Sequence, residues 1–344
     1  MVVWAIFNVM TNITRLMIKI MVKFLCYRDK VIRWQKERRI MKLEVKELKK
    51  TFGEKEVLHG ISFEVESGQA LGLLGRNGAG KTTTIRILMD VFKCNSGEII
   101  IDGKPFKASE YSIGYLPEER GLYPKKKIKD QMLYLARLRG LSKDQALKNI
   151  DKWLTRLEVM EYKEKKLETL SKGNQQKVQL ASTLVADPEI VILDEPFSGL
   201  DPVNSQILKD VVNELIEEGK IVIFSSHQMS YVEEFCDNIA IINHGDVVLK
   251  GRLKDIKKEF GQNRLVLSVE DMSNEALAND VREKISDLVS VDAVKKEFVV
   301  LVMNDGVTKE AVLEKLLALG VKIEHFGIYE PSLNDIFVAK AGDE

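Results

Sequence analysis

Gly75-Arg76-Asn77-Gly78-Ala79-Gly80-Lys81-Thr82 carries the complete G-x-x-x-x-G-K-[ST] spacing, which predicts a loop that binds a nucleoside triphosphate. Glycines at these positions let backbone N–H groups close around phosphate oxygens, and a helix starting there aims the positive end of its dipole at the same place. Lys81 is expected to reach the β- and γ-phosphates and Thr82 to offer its hydroxyl to Mg²⁺. Gly75, Asn77, Gly78, Gly80, Lys81, Thr82 and Thr83 are therefore the candidate nucleotide-binding residues. Farther along, the apolar run Ile190-Val191-Ile192-Leu193 ends in Asp194-Glu195. Asp194 suits Mg²⁺ binding through water and Glu195 suits orienting or deprotonating an attacking water; a solvated turn is the plain alternative. A second apolar run, Ile221-Val222-Ile223-Phe224, delivers Ser225-Ser226-His227. A histidine at the C-terminal end of a strand in a nucleotide-binding sheet can reach a γ-phosphate. Finally, Leu170-Ser171-Lys172-Gly173-Asn174 places Ser and Gly at the expected start of a helix running to Val185, a second anion-binding helix end far from the first.

The elements that must position these residues follow from periodicity. Ala70 to Leu74 reads as a buried strand and Thr83 to Met89 as a helix, so the glycine loop is a strand-to-helix turn. From Leu43 to Val65 short strands turn at Gly53-Glu54-Lys55, with Phe52 beside the turn. An aromatic ring there could stack on a nucleobase or simply join the core. Ile99 to Ile101 is a short strand between two turns, and Ile113-Gly114-Tyr115-Leu116-Pro117-Glu118-Glu119 ends another. Between Ile128 and Leu167 the pattern becomes helical, with Met132, Leu133, Leu135 and Leu138, then Ile150, Trp153, Leu154 and Leu157, on the apolar faces. A basic, polar linker is expected near Lys254 to Asn263, followed by strand, helix, strand, strand, helix, strand up to Ile328. That βαββαβ order suggests a small ferredoxin-like unit, in which no site chemistry is evident.

A length of 344 residues, 45% hydrophobic and 30% charged, suits two folded domains or one large domain with an appendage. Lys+Arg and Asp+Glu are both 52, so no global charge points to nucleic acid. The charge is nonetheless uneven. Residues 1–40 hold nine basic residues against Asp29 and Glu37, a net of +7, leaving 0 − 7 = −7 for the rest. Arg15, Lys19 and Lys23 would share one face of a basic amphipathic helix suited to an anionic membrane surface. The alternative is that translation starts at Met41, where an alternating strand begins. The opening segment lacks the ~18 uncharged apolar residues of a spanning helix. Cys26, Cys94 and Cys236 are odd in number and far apart, which fits neither a disulfide framework nor a zinc site and suits a reducing cytosol.

Taken in order, the loop from Gly75 to Thr82, the stretch Leu170 to Asn174, the Asp194-Glu195 pair, Ser198 to Asp201 and His227 make residues 41–255 resemble an ATP-binding cassette (ABC) ATPase subunit. The stretch Gly114 to Pro124 and the tail Glu330 to Phe337 are similar to ATPases of the NatA/YhaQ-like exporter group. The resemblance implies an α/β P-loop NTPase (RecA-like) cassette at 41–255, with an antiparallel β subdomain and a helical signature subdomain at about 125–180. An accessory ferredoxin-like α+β domain follows at 265–344, and residues 1–40 form an N-terminal extension. By the same resemblance ATP and Mg²⁺ are the cofactors, Phe52 takes the adenine-stacking place, and Thr82, Asp194 and Glu118 attend the metal. Lys81, Glu195 and His227 are then catalytic, while Ser171, Gly173, Asn174 and Asp201 contribute to nucleotide binding. Ser171 and Gly173 grip the γ-phosphate held by a partner, so the chain dimerises head to tail around two ATP molecules, with itself or a related ATPase subunit. It sits at the cytoplasmic face of the membrane and drives a separately encoded permease whose substrate stays open: sodium, a drug-like cation, a peptide or a lipid. Two positions depart from the family pattern: Glu118 stands where Gln is usual, and Lys172 where the signature usually has Gly.

A soluble ABC ATPase acting on ribosomes or DNA is the competing function, opposed by the single cassette and by the lack of a basic stripe in residues 41–344. A P-loop kinase or GTPase is opposed by the signature stretch and by the absence of an Asn-Lys-x-Asp guanine motif.

Overall fold

Alternation writes the first two strands. In β1 (Lys42–Phe52), Leu43, Val45 and Leu48 turn inward, and in β2 (Lys55–Glu66), Leu58, Ile61, Phe63 and Val65 do the same, the period of two that one buried sheet face demands. That period is set over by one residue between Val45 and Leu48 and between Leu58 and Ile61, where the ladder shifts register. They pair antiparallel across a tight turn in which Phe52 faces Lys55. The computed structural model describes residues 40–119 and 121–341; the expected N-terminal extension, up to residue 39, lies outside the described residues.

β3 (Gln69–Leu74) is buried from Ala70 onward on both faces and leads through the glycine loop into α1 (Lys81–Leu88). β4 (Ser96–Ile101) and β5 (Lys104–Pro105) complete a four-stranded antiparallel sheet in the order β2-β1-β4-β5. β6 (Ile113–Leu116) then enters a second sheet. The helical stretch that follows consists of α2 (Ile128–Leu138) and α3 (Lys143–Arg156), two single-turn 3₁₀ segments, and α4 (Lys172–Leu184). Of the residues expected on its apolar faces, Met132, Ile150, Trp153, Leu154 and Leu157 are buried, but Leu138 is 66% exposed. Ile128, Met132 and Ala136 define the inward face of α2 at four-residue spacing. Leu138 lies two residues past Ala136, roughly 200° around the helix.

β7 (Ile190–Asp194), α5 (Pro202–Glu217), β8 (Ile221–Ser226), α6 (Met229–Phe235), β9 (Asn238–Asn243) and β10 (Asp246–Arg252) finish a six-stranded sheet in the order β10-β9-β3-β8-β7-β6. All its neighbours are parallel except β10, which runs antiparallel on β9. Both faces of such a sheet are covered, which is why β7 and β8 read as unbroken apolar runs.

The expected linker is instead α7 (Leu253–Phe260): Leu253, Ile256 and Phe260 recur at i, i+3 and i+7, and this apolar stripe folds the charged segment against the cassette. β11 (Arg264–Val269), α8 (Asn274–Lys284), β12 (Val289–Val294), β13 (Val299–Met303), α9 (Lys309–Ala318) and β14 (Ile323–Ile328) follow in the expected βαββαβ order. Their antiparallel sheet runs β12-β13-β11-β14, the ferredoxin-like order, with its own core of Leu265, Leu267, Leu277, Val281, Leu301 and Val312 among others. A last helix not foreseen from the sequence, α10 (Leu333–Ala341), leaves this unit. Leu333, Ile336 and Phe337 join the cassette core beside Val232, Phe235, Leu253 and Ile256.

Candidate active site

The C-terminal ends of β3, β6, β7 and β8 converge, the edge of a parallel sheet at which open α/β folds bind ligands. The loop after β3 wraps a cavity of about 350 Å³ lined by Arg76, Asn77, Gly78, Gly80, Lys81, Thr82 and Thr83, with Val57 of β2 on one side and Glu118, Asp194 and Glu195 on the other. Two of its glycines are obligatory. At Gly75, with φ +156°, an added Cβ would lie 2.3 Å from the Ile242 carbonyl oxygen. At Gly80, which caps α1 at φ +116°, it would lie 2.6 Å from Leu58 Cδ2. The chain thus gives up side chains so that backbone can ring the cavity.

Lys81 is buried, and its Nζ donates to the carbonyls of Gly75 at 2.7 Å and Arg76 at 3.3 Å. Burial lowers its pKa, opposed by the carboxylates of Glu195, Asp194 and Glu118. Asp194 is displaced the other way: burial first, then the neighbouring Glu118 and Glu195, raise its pKa. The Tyr115 hydroxyl, 3.4 Å from Asp194 Oδ2, has its own pKa pushed up to about 12, mainly by burial and then by that carboxylate. A buried cation, Lys81, and a buried carboxylate, Asp194, each in surroundings that penalise its charge, mark a site that gains by receiving a charged ligand.

Glu195 is held more tightly than any neighbour on this rim. Its backbone takes φ +50°, a left-handed conformation that costs a non-glycine residue of order 1 kcal/mol or more. Its N–H donates to the Ser225 carbonyl at 2.9 Å. Oε2 accepts from Ser226 Oγ at 3.1 Å, and Oε1 accepts from the His227 backbone N–H at 2.8 Å and stands 2.8 Å from His227 Nδ1. The carboxylate is buried while the imidazole is 57% exposed. A base buried at the sheet edge is thereby linked to a histidine that faces outward.

Thr82, Glu118 and Asp194 are hard oxygen donors among the residues that line the cavity. Among the described residues no group of three or more His, Cys, Asp or Glu forms a closed metal cage. That donor set fits Mg²⁺, which keeps several waters and binds through one or two carboxylates plus substrate phosphates.

The structure separates the remaining expected residues from this cavity. Phe52 is 46% exposed at the β1–β2 turn, edge-on to Phe92 at 5.2 Å, with Lys50 Nζ 5.0 Å from its ring, and Val57 lines the cavity where Phe52 does not. Ser171 caps α4, its Oγ accepting from the Asn174 N–H at 3.3 Å. Asp201 caps α5 by accepting from the N–H groups of Val203 and Asn204 at 3.0 Å. Gly173 packs beside that second cap: a Cβ there would sit 3.0 Å from Asn204 Nδ2. None of Ser171, Gly173, Asn174 and Asp201 lines the cavity of its own chain. Sequence reasoning missed Tyr115 and Ser226 as partners of the two carboxylates. A tyrosine one residue before a strand's end and a hydroxyl beside His227 were the available signals.

Residues 58–198 match a family model described as "ABC transporter", and residues 251–341 match one described as "ATP-binding protein DrrA1-3-like, C-terminal domain". An uncharacterized ABC transporter ATP-binding protein of Bacillus subtilis, YhaQ, is 42% identical over 87% of this chain and 98% of its own. The linearmycin resistance ATP-binding protein LnrL of the same organism is 29% identical over 87% of this chain and 98% of its own. A solved ATP-binding subunit of an ABC transporter superposes with a TM-score of 0.59 at 31% identity, covering 64% of this chain and 93% of that one.

Proposed function

This chain belongs to the ABC transporter ATP-binding proteins, and from that premise we propose that it is the motor of an exporter, working as a head-to-tail dimer around two Mg-ATP on the cytoplasmic face of a separate permease. The observation that carries this reading is the exposed N-terminus of α4, with Ser171 as its cap, lying outside its own chain's phosphate cavity. One helix end at Gly80-Lys81 cannot enclose a triphosphate from both sides, and a second set of N–H and hydroxyl donors completes it from the partner.

Within each site Lys81 exchanges the loop carbonyls for the β- and γ-phosphates. Glu195 takes the proton of the water that attacks the γ-phosphorus as the bond from that phosphorus to the β–γ bridging oxygen breaks, leaving ADP and phosphate, and His227, paired with that carboxylate, holds it at the γ-phosphate side. Thr82, Asp194 and Glu118 hold Mg²⁺, which when bound neutralises charge on the phosphate oxygens. Phe52 stacks on adenine, and Asn174 and Asp201 border the partner's phosphate. Among the described residues no helix is long and apolar enough to cross a membrane. Tyr134 and Leu138, one turn apart and exposed on α2, with exposed Tyr123 nearby in the chain, form an apolar surface suited to a membrane subunit. Efflux is favoured by the resistance role in the name of the LnrL relative. The permease, not this chain, sets the cargo.

The test is analytical ultracentrifugation of Glu195→Gln protein. ATP should drive a dimer and ADP should leave monomer, because only the γ-phosphate reaches both helix ends. A protein that stays monomeric in both nucleotides at high concentration overturns the shared site.

A further inference from the structure

Glu118 follows β6, an edge strand of the six-stranded sheet, and reaches the phosphate cavity from a turn that has no strand beyond it. Something else must hold that turn. The carbonyls on either side of Glu118 both accept hydrogen bonds from one side chain: Gln179 Nε2 lies 3.2 Å from the Glu119 oxygen and 3.5 Å from the Pro117 oxygen. Gln179 is buried, 5% exposed, in the middle of α4, flanked by Val178 and Leu180, which are fully buried. One turn on, the Thr183 hydroxyl is shared between the Gln179 carbonyl of its own helix at 3.1 Å and the Tyr115 carbonyl at 3.2 Å, so α4 lies against both the strand and the turn after it. A buried amide is retained in an apolar setting only where its hydrogen bonds are made. Here those bonds go to the backbone on both sides of one candidate metal-side carboxylate.

We propose that Gln179 is a positioning residue for ATP hydrolysis, its amide fixing the turn that presents the Glu118 carboxylate to the metal side of the cavity. This rests on the assignment of Glu118 to that metal. The helix that carries Gln179 is capped at its N-terminus by Ser171, the proposed partner contact. The turn bearing Glu118 is therefore tied to the same rigid element that meets the second nucleotide. Gln179 touches neither nucleotide nor metal. It acts through the loop.

The experiment measures the affinity of a fluorescent ATP analogue in the non-hydrolysing Glu195→Gln background, once with Mg²⁺ and once with EDTA. Glu118→Ala should lower the ratio of the two affinities through weaker binding in Mg²⁺, while the EDTA value holds or rises because a carboxylate lining the phosphate cavity is lost. Gln179→Met, which keeps length and volume but removes the donors, should lower the same ratio, on the order of 10-fold, as loss of an outer-shell partner does. Adding Gln179→Met to Glu118→Ala should change nothing further. Should Gln179→Met fail to fold, Gln179→Leu, likewise without donors, serves in its place with the same expectation. If Glu118→Ala lowers the ratio and the Gln179 variants do not, Gln179 is only a structural residue and the proposal is overturned while the role of Glu118 stands. If Glu118→Ala also leaves the ratio unchanged, both assignments fall.

Discussion

Lys81 and Asp194 at the phosphate cavity stand in electrostatic contrast to Asp335 at the start of α10. Burial works against the charge of both cavity groups, lowering the lysine and raising the aspartate. Burial also acts on Asp335, but hydrogen bonds from Lys295, Tyr329 and Ser332 outweigh it and hold that carboxyl down at about 2. Its Oδ2 accepts from Ser332 Oγ, Tyr329 OH and Lys295 Nζ, each at 2.8 Å. The first cluster is costly until a ligand arrives; the second is complete within the chain. Backbone geometry tells the same story. Glu195 and the glycine loop hold left-handed conformations around the cavity, while α10 begins on an ordinary side-chain cap network. The lesson is that polar groups alone do not mark a site. Polar groups left in debt do.

That contrast breaks if mutations fail to separate chemistry from stability. The largest separation is expected at Glu195, the proposed catalytic carboxylate. Glu195→Gln should keep nucleotide affinity and thermal stability while slowing hydrolysis about 10² to 10⁴-fold, whereas Lys81→Ala should abolish ATP binding. Steady-state turnover with equilibrium nucleotide binding checks both, and equal loss of affinity in the two variants would erase the distinction.

At the other cluster the effect should fall on folding. Leu333 is fully buried in the cassette core, and its N–H donates to Glu233 Oε1 of α6 at 2.7 Å. Leu333→Ala should lower unfolding free energy by about 2 to 5 kcal/mol in urea titrations without changing the nucleotide affinity of the folded protein. A loss below 1 kcal/mol would mean that α10 is not part of the cassette's core.

A smaller effect sharpens the boundary of the site. If the exposed Phe52 ring receives adenine, Phe52→Ala should weaken ATP binding by about 1 to 3 kcal/mol and leave inorganic triphosphate binding unchanged. Calorimetry with both ligands decides it; equal weakening of the two would return Phe52 to a packing role with Phe92.

The smallest effect is a pH dependence. Because the folded pKa of Asp335 lies below its ordinary 3.8, its contribution to stability is present above about pH 4 and is lost as pH falls toward 2. Its ion pair with Lys295 is about a third exposed, so solvent screening keeps the contribution near the order of 1 kcal/mol. Asp335→Asn should be less stable than the parent at pH 7 and converge with it near pH 2. A constant gap across that range would show that the carboxylate's charge is not what stabilises the start of α10.

Much of this was legible before any coordinates. The loop from Gly75 to Thr82, the strands through Asp194 and Phe224, the cap at Ser171 and the βαββαβ order all follow from local pattern, and the structure has elements in those places, the second strand running on to Ser226. The charged segment after residue 253 misled because its lysines are more conspicuous than the three apolar residues that decide its helix. The tail from Glu330 was read only as a resemblance. Its helix is short, and its stripe of Leu333, Ile336 and Phe337 makes sense only against a surface elsewhere in the chain.

What the sequence determined by itself is chemistry that eight or so contiguous residues can encode: glycines that admit backbone to a phosphate, a lysine and a threonine at the following helix start, carboxylates at a strand's end. Strand order was decided only by the tertiary structure. Because β8 lies between β3 and β7, Glu195 meets Ser226 and His227 from about thirty residues away. Because β6 is an edge, Gln179 can reach the turn after it across some sixty residues. An amphipathic pattern specifies that a face will be buried but not against what. That choice is made by competition among all the apolar surfaces of the chain at once, and it placed the last helix on the cassette.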